Sequence, residues 1–247
     1  MERIKSKLKQ MRMGAAAGSL HIRNEYALSN QISYLDFLDM ILEDELSSRR
    51  SNSYKKRLID SKLTYTKTID NYDFSYQPEL DKKLIYDLAS CRFIREKHNI
   101  VLMGKPGVGK THLANAIGLE AIKQDFKVIF IHANTLIEKL NISRADGTFI
   151  KFIKKIKETD LLIIDELGFK KLPQNGNDDF FEVIRSRYEN GSLIITTNRN
   201  FEDWGNLFGD MVIASAIIDR IVHHAIIIKI TGNSYRIKNL MVKNDNN

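Results

Sequence analysis

Residues 104–111 of this 247-residue chain read Gly104-Lys105-Pro106-Gly107-Val108-Gly109-Lys110-Thr111, which fits the phosphate-binding pattern G-x-x-x-x-G-K-[ST]. The apolar run Ile100 to Met103 precedes the motif and is typical of a buried strand. Apolar residues at helical spacing follow it. The alternative, a chance match, is disfavoured because the motif lies between a strand and a helix, as a phosphate loop must.

The residue types of this loop suit a nucleotide. Glycines allow the backbone N–H groups to approach a β-phosphate closely. Lys110 is expected to reach the β- and γ-phosphates of ATP, and the Thr111 hydroxyl to bind Mg²⁺. We therefore predict that nine consecutive residues bind the nucleotide: Gly104, Lys105, Pro106, Gly107, Val108, Gly109, Lys110, Thr111 and His112.

Composition narrows the class of protein. A formal net charge of +7 favours polyanionic partners, although basic proteins without such partners are common. Cys91 is the only cysteine, so no intramolecular disulfide is possible. The sequence shows neither a signal-peptide core nor an apolar run long enough for a membrane helix. We expect a cytoplasmic protein with no membrane partner.

The first part of the chain, residues 1–67, is predicted to be a small helical domain that binds DNA, and residues 68–247 to form the nucleotide-binding core. Ser33 and Asp36 resemble a helix-capping pair, and the apolar face that follows is predicted to be core. A basic stretch comes next, and its candidate DNA-binding residues are Arg49, Arg50, Lys55, Lys56 and Arg57. An ordinary solvated, charged helix is the alternative interpretation.

A second strong signal is Leu161-Leu162-Ile163-Ile164-Asp165-Glu166, an apolar run that ends in two acids. It is typical of a central parallel strand, which would place both acids at the ligand-binding edge of the sheet. Downstream of a phosphate loop, Asp165 is predicted to hold Mg²⁺ and Glu166 to polarise the water that attacks the γ-phosphate.

Two later residues are weaker candidates for catalysis. Asn198 ends another apolar strand and could orient the attacking water, but an Asn at this position is more often a turn former. Arg220 follows an apolar helical face and could enter a neighbouring subunit's ATP site. A salt bridge with Asp219 or another acid is the alternative role for this arginine.

These motifs together resemble one family. In order along the chain they are Asp73-Phe74, Gln77-Pro78, the phosphate loop with His112-Leu113-Ala114, Asp165-Glu166-Leu167-Gly168, Thr197-Asn198-Arg199, Trp204, Leu207-Phe208-Gly209-Asp210, Asp219-Arg220 and His223-His224. The chain resembles the IstB-like transposition helper ATPases, relatives of the DnaC helicase loaders and the DnaA initiator clade of AAA+ proteins. The likeness spans nearly the whole chain and is most specific from Phe74 to His224.

The resemblance implies an α/β fold of P-loop AAA+ type, with a parallel sheet between helices and a truncated or absent C-terminal lid. It implies an ATPase that oligomerises on double-stranded DNA, remodels it and directs the transposase of the same insertion sequence. Asn198 would then be the sensor and Arg220 the arginine finger. Only a short segment follows Arg220, so a second sensor arginine is absent or relocated, and whether Arg236 replaces it stays open.

Three other functions compete with this one. A DnaC-like helicase loader would have a replicative helicase as its main partner, and preference for duplex over single-stranded DNA would argue against it. A nucleotide-gated DNA-binding scaffold has no need of a water-polarising acid such as Glu166. A small-molecule kinase is disfavoured because neither a substrate lid nor an acceptor site can be identified.

Overall fold

A computed structural model describes residues 1–169 and 174–237 of the chain. By the density of their internal contacts, these residues form two compact units, the first Met1–Lys56 and the second beginning at Arg57. The division falls within one long helix, α3 (Tyr34–Ser61). The predicted domain boundary between residues 67 and 68 stays a prediction.

The first unit is helical. It contains α1 (Glu2–Gln10), α2 (Gly14–Ser29) and most of α3. The predicted capping pair forms at the start of α3, where the Asp36 backbone N–H donates to Ser33 Oγ over 3.2 Å. A small core of Ala16, Leu20 and Ile41 joins α2 and α3.

The prediction that the apolar face of α3 is core is wrong for most of its residues. Ile41 is buried, but four leucines on the same helix stay exposed, with 79%, 51%, 41% and 46% of their surface accessible: Leu35, Leu38, Leu42 and Leu46. Among the described residues, the buried cluster joins only Ile41 of α3 to Ala16 and Leu20 of α2, so it covers a narrow stripe of α3.

The second unit is built on a parallel sheet of five strands in the order β2-β3-β4-β1-β5. The strands are β1 (Asn99–Gly104), β2 (Val128–His132), β3 (Leu161–Leu167), β4 (Ser192–Thr197) and β5 (Ala225–Ile230). The strands β1, β3 and β4 lie where apolar runs predict buried strands, whereas the edge strand β5 is partly exposed.

Helices cover both faces of the sheet. They are α4 (Lys82–Ala89), α5 (Arg92–Arg95), α6 (Lys110–Lys123), α7 (Ala133–Ala145), α8 (Phe149–Lys157), α9 (Gln174–Arg187), α10 (Trp204–Phe208) and α11 (Met211–Val222). One face packs on α6, where Gly118 lies so close to Ile163 that a Cβ would stand 2.8 Å from its Cδ1. The other face joins a cluster that contains the fully buried Trp204 and Phe180.

One predicted helix start is wrong. The pattern places Pro78 in the first turn of a helix that runs to Ile94, whereas α4 begins at Lys82 after Asp81, whose carboxylate accepts from the backbone N–H groups of Lys83 and Leu84. An aspartate cap satisfies two orphan helix donors, which a proline cannot do. Cys91, with φ +58°, then separates α4 from α5.

The strand order positions the site. Since β1 lies beside β4, and β4 beside β3, the carboxyl ends of these three strands are neighbours at one edge of the sheet. The phosphate loop, the two acids and Asn198 all leave the sheet at that edge. Among the described residues β5 is followed by only a short 3₁₀ turn, Tyr235–Ile237, and none of the described helices could cross a membrane.

Candidate functional site

The phosphate loop needs its glycines for conformation and for space. Gly107 and Gly109 have φ values of +87° and +97°, which other residues rarely adopt. A Cβ on Gly109 would stand 2.6 Å from the Tyr72 ring, and one on Gly107 would stand 2.0 Å from Ser234 Oγ. Two segments therefore pack closely against the loop, one before β1 that contains Tyr72 and one after β5 that contains Ser234.

Lys110 is the first residue of α6 and curls back over the loop. Its Nζ donates to the carbonyl oxygens of Gly104 over 2.6 Å and Lys105 over 2.9 Å. Burial lowers the pKa of this ammonium, Asp165 and Glu166 oppose the shift, and the positive charge of Arg236 adds to it. The loop thus holds a partly desolvated cation beside its backbone N–H groups, an arrangement suited to an anion.

The two acids of β3 take different directions. Asp165 is fully buried, and its carboxylate accepts hydrogen bonds from Thr111 Oγ1 (2.8 and 3.1 Å) and from Thr196 Oγ1 (2.5 Å). Glu166 has a φ of +59°, and its half-exposed side chain lines a cavity. The structure thus brings the predicted metal-binding pair, Thr111 and Asp165, into direct contact.

A bulge in β3 produces this divergence. Ile164 pairs with Ile195 and Leu167 pairs with Thr197, so two residues of β3 oppose the single residue Thr196. Thr196 accordingly contacts both acids, because its Oγ1 also accepts the Glu166 backbone N–H over 2.9 Å.

His132 is a site residue that the sequence analysis missed. It ends β2 in register with Asp165, and its Nδ1 lies 3.3 Å from Asp165 Oδ2 and 3.9 Å from Glu166 Oε2. A polar residue at the end of an apolar strand is the available signal. That signal becomes specific only once β2 is known to lie beside β3.

The phosphate loop and Glu166 border a cavity of about 320 Å³, whereas Asp165 and His132 do not line it. Seven of the nine predicted nucleotide-binding residues line it, from Pro106 to His112, together with Glu166 and Asn198. Arg236, whose role as a second sensor was left open, also lines it. The other lining residues were not predicted to be in the site: Lys67, Asn71, Tyr72, Asp73, Tyr76, Gln77, Phe169, Thr196, Thr197 and Tyr235.

One end of the cavity is lined by aromatic side chains. The Tyr72 hydroxyl donates to the Val108 carbonyl over 3.2 Å, its ring meets His112 edge-on at 5.3 Å, and burial raises its pKa to about 12. Tyr76 and Tyr235 meet edge to face at 5.4 Å. This end offers flat apolar surface beside the phosphate loop.

The segment after β5, residues 231–236, closes against the phosphate loop. The Tyr235 backbone N–H donates to the Gly107 carbonyl over 2.9 Å, and Gln77 Nε2 donates to the Asn233 carbonyl over 3.0 Å. Arg236, on the same segment, reaches the cavity.

Arg220 lies elsewhere. Its Nη1 donates to the Ala216 carbonyl over 2.8 Å, and its guanidinium stands 4.9 Å from the centre of the Phe181 ring. It borders a small pocket with Asn99, the first residue of β1, and is thus near the opposite edge of the sheet from the phosphate loop. Within residues 1–169 and 174–237 it forms no ion pair, so the salt-bridge alternative has no support there.

The predicted DNA-binding residues differ in their surroundings. In the first unit, Arg49 pairs with Glu45 over 2.8 Å and donates to the Arg12 carbonyl over 3.1 Å, while Arg50 pairs with Glu43 over 3.4 Å. In the second unit, Arg57 is mostly buried in an ion pair with Asp125. Lys55 and Lys56 are exposed.

Glu45 explains the position of Arg49. Its carboxylate is nearly buried and accepts the backbone N–H groups of Ala15 and Ala16 in the first turn of α2. A negative charge is favourable at a helix start, and Arg49 neutralises it. Arg49 therefore has a structural task whether or not it also contacts DNA.

The donor set at the acids fits Mg²⁺. Thr111 and Asp165 present a hydroxyl and carboxylate oxygens within hydrogen-bonding distance of each other, and Mg²⁺ is commonly held by one or two such protein oxygens plus substrate phosphates. Across the described parts of the chain there is no cluster of three His, Cys, Asp or Glu side chains that would hold a metal on its own.

Comparison with known proteins adds a family and a fold. A family profile described as "IstB-like ATP binding protein" matches residues 6–242. The chain is 42% identical to the ATP-binding protein of insertion sequence IS5376 from Geobacillus stearothermophilus, over 87% of this chain and 85% of that one. It is 36% identical to that of insertion sequence IS21 from Pseudomonas aeruginosa, over 89% and 84%.

Among solved structures, DnaA from Aquifex aeolicus with bound AMPPCP aligns at a TM-score of 0.59 and 23% identity, covering 76% of this chain and only 57% of that chain. The DnaC helicase loader aligns at 0.58 and 24%, covering 67% and 97%. At this level of identity the likeness shows the fold, which is the P-loop fold of AAA+ proteins.

Proposed function

Because the chain belongs to the IstB-like ATP-binding protein family of insertion sequences, we propose that it is a transposition regulator that hydrolyses ATP. It assembles on duplex DNA in an ATP-dependent homo-oligomer in the cytoplasm, remodels the DNA and directs the transposase of its own insertion sequence. The observation that carries the proposal is the meeting of Lys110, Thr111, Asp165 and Glu166 at one edge of the sheet.

ATP binding follows from the shape of the cavity. The loop N–H groups from Gly107 to Lys110 and the start of α6 receive the phosphates, and Lys110 leaves its carbonyl partners to reach the β- and γ-phosphates. The aromatic end formed by Tyr72, Tyr76 and Tyr235 receives the base. Arg236 lies close enough to Lys110 to affect its pKa. It belongs to the segment after β5 and adds positive charge on that side of the phosphate loop.

Hydrolysis requires a general base, here a carboxylate, that faces the γ-phosphate. Bound Mg²⁺, held by Thr111 and Asp165, would neutralise phosphate charge. Glu166 accepts a proton from the attacking water, since its carboxylate is the acid that opens into the cavity, and Asn198 orients that water.

Arg220 supplies positive charge to a neighbouring subunit's site. It does not line the cavity of its own chain, so a catalytic role requires a second copy. An arginine finger in trans makes hydrolysis depend on assembly, which would link turnover to binding on DNA.

DNA binding rests on charge. The net charge of +7 and the exposed Lys55 and Lys56 support contacts with phosphates. Arg50, which is exposed and only loosely paired with Glu43, adds to them. Arg49 and Arg57 contribute less directly, because each is held by an acid of its own unit.

The helicase-loader function has less support. The DnaC likeness covers the fold at 24% identity, whereas the relatives that are 36–42% identical are proteins of insertion sequences. Tighter binding to duplex than to single-stranded DNA supports transposition, and the reverse preference would favour a loader.

The first test is nucleotide binding by Lys110→Ala. We expect ATP binding and ATP-dependent oligomer formation to be lost, because the loop loses its fixed cation on the phosphates. Lys123→Ala is the matched control, since Lys123 is at the other end of α6 and pairs with Glu120. Fluorescence anisotropy of a labelled ATP analogue and light scattering report the two effects. Wild-type affinity in Lys110→Ala would overturn the proposal.

A further inference from the structure

We propose that Thr196 is a positioning residue that orients both acids of the ATPase site through one hydroxyl group. The inference rests on the proposed function, because it assigns a task within ATP hydrolysis. Thr196 is fully buried at the end of β4, and its Oγ1 lies 2.5 Å from Asp165 Oδ1 and 2.9 Å from the Glu166 backbone nitrogen.

The direction of these two hydrogen bonds is fixed by chemistry. A hydroxyl has one proton to donate, and an ionised carboxylate can only accept. The Thr196 proton therefore points to Asp165, and a lone pair of the same oxygen accepts the N–H of Glu166. Both bonds are satisfied only while Asp165 and Glu166 keep their present relative positions.

The bond to Glu166 stabilises the bulge. Successive side chains of a regular strand point to opposite faces, so Asp165 and Glu166 would not serve one site without the extra residue. Glu166 has a φ of +59°, a left-handed conformation that is uncommon for a residue other than glycine. Thr196 is the β4 residue opposite the bulge. Its hydroxyl oxygen accepts the Glu166 backbone N–H, which the bulge takes out of the regular hydrogen-bond ladder between the strands.

The bond to Asp165 sets the carboxylate that would hold Mg²⁺. Asp165 Oδ1 accepts from both Thr111 and Thr196, so its rotamer is held from two sides before any ion binds. Partners that orient a metal ligand in this way affect metal affinity or activity by about 10- to 100-fold when they are replaced.

Three variants test the assignment. Thr196→Val keeps the shape and removes the hydroxyl, and Thr196→Ser keeps the hydroxyl. Thr159→Val is the matched control, because Thr159 is also buried and its Oγ1 donates to the Lys155 carbonyl over 2.9 Å, away from the cavity. Thr196→Val loses both hydrogen bonds of its hydroxyl and Thr159→Val loses one, so both are expected to melt below wild type and Thr196→Val by the larger amount.

Two readouts separate positioning from general destabilisation. The first is the affinity for a labelled ATP analogue with Mg²⁺ and with EDTA. The second is the Mg²⁺ concentration that gives half-maximal turnover, with kcat and KM for ATP determined at saturating Mg²⁺. All are measured well below the melting temperature of each variant.

For Thr196→Val we expect the gain in nucleotide affinity from Mg²⁺ to fall about 10-fold or more and kcat to fall about 10- to 100-fold, with affinity in EDTA unchanged. Thr196→Ser keeps the hydroxyl and can form both hydrogen bonds, so it should restore the Mg²⁺ effect and kcat to within about 3-fold of wild type. Thr159→Val should match wild type in both.

Equal losses in Thr196→Val and Thr159→Val, or no rescue by serine, would overturn the assignment. That failure is distinct from failure of the proposed function, which Lys110→Ala tests through nucleotide binding alone.

Discussion

The Arg220→Ala variant tests whether the ATPase site is complete within one chain or needs a residue from a neighbouring subunit. Among residues 1–169 and 174–237, Arg220 donates a hydrogen bond to the Ala216 carbonyl and its guanidinium contacts the Phe181 ring. Losing the ring contact costs about 0.5–1 kcal/mol of stability for a partly exposed arginine. Because Arg220 does not line the cavity, ATP affinity should be unchanged. Turnover on DNA should fall by about 10³- to 10⁵-fold if the guanidinium completes a neighbour's site.

Mixing two inactive variants shows where Arg220 acts. An Arg220→Ala subunit keeps Glu166, and a Glu166→Gln subunit keeps Arg220, while both still bind ATP and can enter one oligomer. In an equal random mixture about a quarter of head-to-tail interfaces join an intact Glu166 to a neighbour's intact Arg220. Up to about a quarter of wild-type turnover should therefore return.

Two controls make the result decisive. Pull-down of one tagged variant by the other checks co-assembly, and Arg92→Ala, which removes an exposed arginine paired with Glu96, should hydrolyse ATP normally. Co-assembly without recovered turnover would refute the reasoning, as would normal turnover of Arg220→Ala alone.

Two further predictions concern the first unit. Replacing Lys55 and Lys56 by glutamine should weaken duplex binding on every sequence and reduce the slope of log affinity against log salt by about 2, one per lost phosphate contact. An unchanged slope, measured by anisotropy at several salt concentrations, would place DNA elsewhere on the protein. The hydrogen bond from Arg23 lowers the pKa of Asp44 to about 2, below its usual 3.8. The ionised carboxylate therefore stabilises the fold above about pH 4, and this contribution is lost as pH falls towards 2. Between about pH 4 and pH 2, the melting temperature of Asp44→Asn should therefore fall less than that of wild type. Melting temperatures that fall in parallel for the two proteins would contradict the pKa shift.

Much of the second unit was predictable because its signals are local. Each of the five strands contains an apolar run of three or more residues. The phosphate loop and the acids of β3 are short motifs whose residue types indicate their chemistry. The phosphate loop could be placed from sequence because its chemistry depends on backbone geometry that Gly107 and Gly109 permit.

What stayed hidden depends on strand order and on distant segments. His132 and Thr196 reach Asp165 only because β2 and β4 flank β3, and no local pattern specifies which strands are neighbours. Tyr235 contacts the phosphate loop from more than a hundred residues away. Leu35 and the other exposed leucines of α3 show the converse error, since a helical apolar face predicts burial without saying whether a partner covers it.

The division of contacts into two compact units has no local sequence signal. A helix start can be recognised from a capping residue such as Ser33, but the contacts that divide the chain fall inside α3, where the local sequence stays helical. Composition alone changes little at that point, because basic residues continue from Arg49 to Arg57 on both sides.

The most direct test of the whole account is duplex DNA binding by Glu166→Gln in ATP and in ADP. The amide cannot accept a proton from water, so this variant should bind ATP normally, hydrolyse it slower by orders of magnitude and remain assembled on DNA. We predict that it holds a labelled duplex at least about 10-fold more tightly in ATP than in ADP, a coupling of about 1.4 kcal/mol. Equal affinity in the two nucleotides, or wild-type turnover by Glu166→Gln, would contradict the claim that ATP hydrolysis at this site controls assembly on DNA.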